Sequence, residues 1–509
     1  MKVFGLRTLV IAMLLSLQAC TTLGPDYVEP DVGWVSNWET TLYGQVEQSA
    51  AETSPQQDLG FWWQAFNDPL LNDLIATARE ENPNLRIAGL AIAQSRAALG
   101  IAAGSRYPQL QQASGEFARV DTWPTEGDNS GDRSGLRSYG AGLDVGWELD
   151  FWGRFARGIE SADAAFFASV TNQQNAQILL SAQVAQTYFT YRTVAQQIAI
   201  ARMNASLQKR SLEITQRLFT NGQSAELDLQ QARTQYLATL SSIPTLEINL
   251  QQVRNALSAL LGRAPGDLPE LAGEPVPLPE MDPVLITELP ARLLMRRPDI
   301  QSAAWQVAAQ SAQIGVARAS LYPAISLFGT LGWAGNSNAN SINSVSSGFG
   351  PSFTWNLFNY GRLENNVRLQ DALLQQTIEN YQNTVLQAAR EIDDAAISVV
   401  KTREQIAILA QAQEAAERAL TLSTSRFQEG YSDFNRVLDA QRALAAQSNN
   451  YIASKGAHIN AVIALYKAMG GGWQPLDAGA IVPEATRSVM EERTDWGDLL
   501  RAPLPAATQ

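Results

Sequence analysis

Leu99-Gly100-Ile101-Ala102, followed by Ser105 and Tyr107-Pro108, returns later in the chain as Ile314-Gly315-Val316-Ala317, followed by Ser320 and Tyr322-Pro323. The offset is a constant 215 residues, and Pro83 and Pro298 obey it too. Further on, Trp147-x-Leu149 and Gly153-Arg154 match Trp355-x-Leu357 and Gly361-Arg362 at an offset of 208. Phe219, Gly222 and Ser224 match Phe427, Gly430 and Ser432 at that second offset, as do Leu257 and Leu261-Gly262 with Leu465 and Met469-Gly470. One indel of seven residues (215 − 208) between Pro108 and Trp147 accounts for the change. A register held over such a length marks an internal duplication, so the fold is two copies of one supersecondary unit.

Each unit opens with a hairpin. From Tyr139 to Asp150 the odd positions are Tyr139, Ala141, Leu143, Val145, Trp147 and Leu149, and the even ones are Gly140, Gly142, Asp144, Gly146, Glu148 and Asp150. Ile325, Leu327, Leu331 and Trp333 alternate with Ser326, Thr330 and Gly332, and Phe349, Phe353, Trp355 and Leu357 alternate with Gly350, Ser352, Thr354 and Asn356. The strand near Gln109–Asp121 alternates weakly. Strands of about ten residues, apolar on one face and small or acidic on the other, with Trp near the ends, suit a membrane barrel. A soluble antiparallel sandwich asks for the same alternation. Four strands cannot close a barrel, so crossing a membrane requires several chains to share one.

The second part of each unit is helical. No proline falls between Pro124 and Pro244 or between Pro351 and Pro475. Steps of three and four from Ile378 to Phe427 pass through fifteen positions, of which twelve are apolar counting Ala. That 3.5-residue spacing is a coiled-coil seam. Shifted back by 208, it passes Val170, Leu180, Val184, Tyr191, Val194, Ile198, Leu212 and Phe219. Some 50 residues of such helix span roughly 75 Å. Each seam ends at a glycine turn, Gly222 or Gly430, and a second helix returns to Gly262 or Gly470; Pro244 predicts a kink in one of these. The resulting division is 1–19, a signal segment; 20–82, a lipid-anchored N-terminal segment with an equatorial helix; 83–262, the first repeat, with a helix, hairpin 108–150 and helical hairpin 153–262; 263–297, an equatorial linker; 298–470, the second repeat, with a helix, hairpin 323–358 and helical hairpin 361–470; and 471–509, an equatorial tail. The Pro- and turn-rich stretches flank the helices and read as a belt around the middle of the rod. The acidic, Pro-containing tail after Pro483 has the make-up of a disordered segment.

The chain has 509 residues, a net charge of −13, 45% hydrophobic and 17% charged residues, one Cys and one His. The acidic balance argues against a nucleic-acid partner. A single Cys and a single His exclude an intrachain disulfide and a Cys/His metal site. Lys2 and Arg7 precede the apolar run from Leu9 to Leu17, with no acidic residue before Asp26, which is a secretory signal. The run is short for a span, and no other stretch reads as a transmembrane helix. Leu17-Gln18-Ala19-Cys20 resembles a bacterial lipobox, which implies cleavage before Cys20 and acyl chains on its sulfur and amine. With two or three chains the anchor is stable, and Thr21 after the cysteine favours the outer membrane by resemblance to lipoprotein sorting.

Gly24-Pro25-Asp26-Tyr27, Trp62-Trp63 with Phe66-x-Asp68-Pro69-x-Leu71, Asn82-Pro83-Asn84-Leu85, and Leu289-Pro290-x-x-Leu293-Leu294-x-Arg296-Arg297-Pro298-Asp299-Ile300 are long, spaced motifs. With the duplicated hairpins they resemble the TolC/OprM-like outer-membrane factors over nearly the whole chain. The resemblance implies an α+β fold: a homotrimer whose 12-stranded transmembrane barrel, four strands per chain, continues as a coiled-coil tunnel in the periplasm with a mixed equatorial belt. It implies a passive exit duct for drugs or other small solutes, set in outer-membrane lipid, and partnered by a periplasmic adaptor and an inner-membrane RND-type transporter. An exit duct for secreted protein, or a lipid-anchored coiled coil without a pore, are the other readings.

Nothing in the sequence supports an enzyme or a cofactor. His458 falls inside a helix near the Ile459 seam. Glu391, Asp393 and Asp394 cannot all face one way on a helix, and the glycines form no phosphate loop. The functional candidates lie at the tip turns Gly222 and Gly430. By resemblance, aspartates near the tip form rings about the threefold axis, and the matching positions are Asp439, in Val437-Leu438-Asp439-Ala440-Gln441, and Asp228 on the other hairpin. Three close carboxylates repel and select for cations. Phe427, Ser432 and Arg436 stand where one branch of the family has tyrosine, arginine and a further aspartate. Phe427 cannot donate a hydrogen bond, which leaves Arg436 to pair with Asp228 or Asp439.

Overall fold

The computed structural model of the chain describes residues 22–35, 38, 42–44, 59–122, 134–266, 268–271, 273, 276–280, 294–336, 342–475 and 481–504. The signal segment, Cys20 and residues 289–293 of the longest motif lie outside the described residues. Helices α1 (Pro69–Glu81) and α2 (Pro83–Gly104) lead into strands β1 (Leu110–Thr122) and β2 (Ser134–Leu149), then helices α3 (Arg154–Thr220) and α4 (Glu226–Leu260). The second unit repeats the pattern with α5 (Pro298–Ala319), β3 (Ala324–Asn336), β4 (Ile342–Thr354), α6 (Arg362–Gln428) and α7 (Phe434–Ala468). A terminal helix α8 covers Glu484–Arg493. The duplication is visible in the lengths: α2 and α5 have 22 residues each, α3 and α6 have 67, and α4 and α7 have 35.

The long helices begin as soon as the hairpins end, so they exceed the length expected from the seam alone: 67 residues make a rod of roughly 100 Å. All fifteen seam positions of α6 are buried or half-buried, and Tyr381, Val385, Ala388, Ile392 and Val399 are buried completely or nearly so. The upper half of α3 packs on α2 and α5, and its lower half on α4 and α7; α6 is flanked by α5 above and α7 below. α4 runs unbroken through Pro244. Beside it the Ser241 and Ser242 hydroxyls donate to the Ala238 and Thr239 carbonyls, both at 2.8 Å.

The four strands form one antiparallel sheet in the order β1-β2-β3-β4, so the two hairpins join through β2 and β3. The register puts Leu143 opposite Ala113 and Leu331, and Asp144 opposite Gln112 and Thr330. One face therefore gathers the apolar set and the other the small and polar set. In β2 from Gly140 to Gly146, Ala141, Leu143 and Val145 are exposed while the even positions between them are half-covered, as on the concave side of a curled sheet. Tyr107, Trp147, Phe353, Trp355 and Phe358 are exposed around the junction of sheet and helices. Such a girdle marks a membrane–water interface.

Each unit is closed by the same bond. Pro at the first turn of α2 and α5 needs no N–H there, and the residue before it caps the end of a hairpin. Asn82 Nδ2 donates to the Leu260 carbonyl at 2.8 Å, and Arg297 Nη1 to the Ala468 carbonyl at 2.8 Å. Both pairs obey the sequence offsets, which explains Asn82-Pro83 and Arg297-Pro298 as one structural device. Arg297 also holds Asp299 and Glu391, at 2.7 and 3.0 Å. Burial works against its charge, but these two carboxylates outweigh it and its pKa is raised.

Two expectations are corrected. The tail after Pro483 is ordered as far as residue 504: α8 forms, Met490 and Leu500 are buried against Ile92 and Phe166, and Arg96 donates to the Leu499 and Pro503 carbonyls at 2.6 and 3.2 Å. Its few apolar residues pack on Ile92 of α2 and on Phe166 and Phe167 of α3, contacts that composition does not register. Secondly, α2 is long and apolar enough by length and composition to cross a membrane, and little of it is buried within the chain. Its apolarity comes from Ala, Ile and Leu on nearly every face, rather than from one apolar run.

The N-terminal segment is a strap. Leu23 N–H donates to the Trp152 carbonyl at 3.2 Å, and the buried Arg157 guanidinium grips the Leu23 carbonyl at 3.1 Å and Asp26 at 2.6 Å. Gly24 (φ +97°) lies so close to Gly315 that a Cβ on it would sit 2.5 Å from the Gly315 Cα. Lower down, Tyr43 donates to Asp393 at 2.8 Å.

Candidate functional site

Both helical hairpins turn at a glycine in the left-handed region. Gly222 (φ +68°) ends α3, with the Gln223 N–H bonded back to the Leu218 carbonyl at 2.8 Å. Gly430 (φ +81°) ends α6, with the Tyr431 N–H bonded to the Arg426 carbonyl at 2.9 Å. This six-to-one closure is the Schellman motif, whose positive φ favours glycine. The returning helices differ. α7 has Asp433 as its N-cap, accepting from the Arg436 N–H at 3.2 Å. α4 begins after Ala225, which offers no side-chain cap, and carries Glu226 and Asp228 in its first turn, where the helix dipole favours negative charge.

The tip is held by a small apolar core of Ala232, Phe434, Val437 and Leu438, with Leu212, Leu420 and Phe427 packed against it. The Phe427 and Phe434 rings lie 5.2 Å apart. Phe427 thus faces a neighbouring ring and serves packing in this chain. Gln441 donates to Ser211 at 2.7 Å, tying α7 to α3.

The charged candidates do not come together as the sequence suggested. Asp439 is exposed and pairs with Arg442, one turn along α7, at 3.3 Å. Arg442 also donates to Gln235 of α4 at 2.9 Å, so it links the two returning helices. Asp228 accepts from Ser224 at 2.9 Å. Within the chain the Arg436 side chain bonds to neither aspartate, and its backbone N–H serves the Asp433 cap. Asp228 occupies the repeat position of Arg436, and Asp439 that of Gln231, so the two carboxylates sit about one helical turn apart in height. Arg442 and Gln235 were missed because neither belongs to a motif; their only sequence signal is an Asp–Arg spacing of three on a helix.

A second polar cluster lies at the belt. Asp68 caps α1 through the Leu71 N–H at 3.2 Å, accepts from the Tyr188 hydroxyl at 3.0 Å, and forms a short ion pair with Arg192. Arg192 also donates to the Pro277 carbonyl. Burial is the main reason the Tyr188 phenol is pushed up to about 12, the Arg192 charge opposing and the Asp68 charge adding. His458 Nδ1 lies 2.9 Å from Thr402 Oγ1. Burial, helped by the Arg403 charge, lowers its pKa. Among the described residues no group of three or more His, Cys, Asp and Glu side chains could hold a metal ion.

Comparison with known proteins places this geometry. The family model described as "Outer membrane efflux protein" matches residues 74–263 and 289–471, the two halves of the duplication. The chain is 32% identical over 475 residues to the "Cation efflux system protein CusC" of Escherichia coli O6:H1, covering 92% of this chain and 99% of that protein. It is 29% identical over 478 residues to the "Probable outer membrane lipoprotein SilC" of Salmonella typhimurium, again covering 92% and 99%. The solved structure of the outer-membrane channel OprN superposes with a TM-score of 0.77 at 30% identity, over 89% of this chain and all of that one.

Proposed function

The chain belongs to the outer membrane efflux protein family, and from that premise we propose that three copies build one twelve-stranded barrel and, below it, one tunnel of long helices closed at the hairpin tips. The protein is an efflux channel of the cell outer membrane. The observation that carries the shared barrel is the open sheet: β1 and β4 each present an unpaired edge of 13 residues. A bilayer offers no partner for such an edge, four strands cannot close, and three copies supply twelve.

In this reading the duct is passive, and its driving energy comes from an inner-membrane transporter reached through a periplasmic adaptor. The adaptor meets the tip turns at Gly222 and Gly430, where Leu227 and Tyr431 are exposed. Cys20 carries the lipid, in keeping with the lipoprotein name of the Salmonella relative. Asp439 forms the constriction ring, with Asp228 a turn away from its level, Arg436 free to meet a neighbouring copy, and Phe427 bracing the turn.

Single-channel recording of the purified protein in planar bilayers tests this. The resting channel should prefer cations and be blocked by divalent cations added on the tip side. Asp439→Asn, which keeps the side-chain size, should weaken both properties, and Asp228→Asn should do so less. Unchanged selectivity and block in Asp439→Asn would reduce Asp439 to a surface residue.

A further inference from the structure

The inner face of the sheet is polar or bare at nearly every level, and Phe328 interrupts it. Strand register puts Phe328 between Gly146 of β2 and Gly350 of β4, on the face that carries Asp144 and Thr330. The ring is 41% exposed. A Cβ on Gly350 would come within 3.5 Å of it and one on Gly348 within 3.9 Å, so the ring lies over backbone kept clear of side chains. Leu110 stands in the same row, across Gly146, and is also exposed. Phe328 is the fifth residue of β3, so this row lies roughly 13 Å up the strand from the helices.

Charge on this face has one sign. Glu148, two residues beyond Gly146, is paired with Arg154 at 3.1 Å. Asp144, two residues to the other side, has no cationic partner among the described residues, and Glu116 stands further along the same face opposite Gly140. Arg119 and Arg137 face each other on the opposite side of the sheet. An aromatic face beside an unneutralised carboxylate suits a cation that is also apolar.

We propose that Phe328, with Asp144 on the neighbouring strand, forms a transit site for lipophilic organic cations on the inner wall of the barrel, one in each copy. The proposal rests on the shared-barrel reading, which makes this face the lumen. The site faces a wide lumen: twelve tilted strands about 4.8 Å apart enclose a circumference of roughly 80 Å. It slows and orients passing cations without sealing the duct.

The test introduces Thr330→Cys, two residues along β3 on the same face, into the full-length protein in proteoliposomes. The rate of modification by a negatively charged, membrane-impermeant thiol reagent is measured with and without tetraphenylphosphonium, and tetrabutylammonium serves as the charge-matched aliphatic control. Tetraphenylphosphonium should slow modification at least threefold and tetrabutylammonium should not. Adding Phe328→Leu should abolish the protection, and adding Asp144→Asn should weaken it. Equal protection by the two cations, or protection that survives Phe328→Leu, overturns the site while leaving the barrel intact. If the reagent modifies Leu143→Cys as readily as Asp144→Cys in separate variants, the lumen assignment itself falls, and the site with it.

Discussion

Asp68 makes three contacts through one carboxylate: it caps α1, receives the Tyr188 hydroxyl of α3, and neutralises the buried Arg192 of the same helix. Asp68→Ala strands that guanidinium inside the belt. Breaking a buried pair from one side costs about 3–5 kcal/mol, so the variant should melt well below the parent in detergent, and protease should cut the belt before the barrel. Asp68→Asn keeps the cap and should recover part of the loss. His458 makes a pH-dependent contribution. Its folded pKa is depressed below an unfolded value of about 6.5, so the unfolded state binds more protons in acid. The contribution is complete above about pH 6.5 and is lost as pH falls through the depressed folded value. His458→Gln should flatten that part of the fall in melting temperature between about pH 8 and pH 5; an unchanged slope would acquit the imidazole. At this scale the sequence was only partly legible. Asp68 and Arg297 stood inside conspicuous motifs, but their partners Arg192 and Glu391 lie 124 and 94 residues away, and nothing local ties them together.

The elements were far more legible, because the physics that makes them is periodic. A seam repeating every 3.5 residues survives the 208-residue shift between α6 and α3, and Gly222 and Gly430 mark their ends without ambiguity. The hairpins announced themselves through alternation, except β1, whose polar residues and single Phe117 blur it. α8 escaped because half of its ten residues are charged and its apolar positions are only Ala485, Val489 and Met490, too few to show a period. The faces of β2 give a direct test. Leu143→Arg puts a charge toward lipid, at roughly 2–4 kcal/mol near the bilayer midplane, whereas Asp144→Arg meets water. The first should depress the yield of folded protein in the outer-membrane fraction, and the second should leave it close to the parent level. Equal losses, or the reverse order, would mean that the faces are exchanged.

For the whole molecule, the duplicated chain is an arc. Its sheet has two open edges, α2 is apolar yet mostly uncovered, and α6 exposes Leu369, Leu386, Ile408 and Leu422 along its length. These surfaces ask for further copies of the same chain. Native mass measurement in detergent should return three times the mass of the mature chain, and a stable monomer would break the shared-barrel argument. Composition gives no copy number, and a strand count of four asks only that further copies close the sheet so that no edge is left in the bilayer; three is the number the family resemblance implies.

Those same edges set the terms of the protein's journey. Until its partners arrive, each newly exported chain carries two 13-residue strand edges, bonded only to water, through an aqueous compartment. Long exposed edges invite promiscuous pairing with whatever strand comes near, and β4 offers little protection, since it carries no charged residue and its one proline is Pro351. Traffic to the membrane is therefore a race between trimerisation and aggregation. Overproduction, which raises the concentration of lone chains faster than the membrane can receive them, should tip that race toward insoluble deposits.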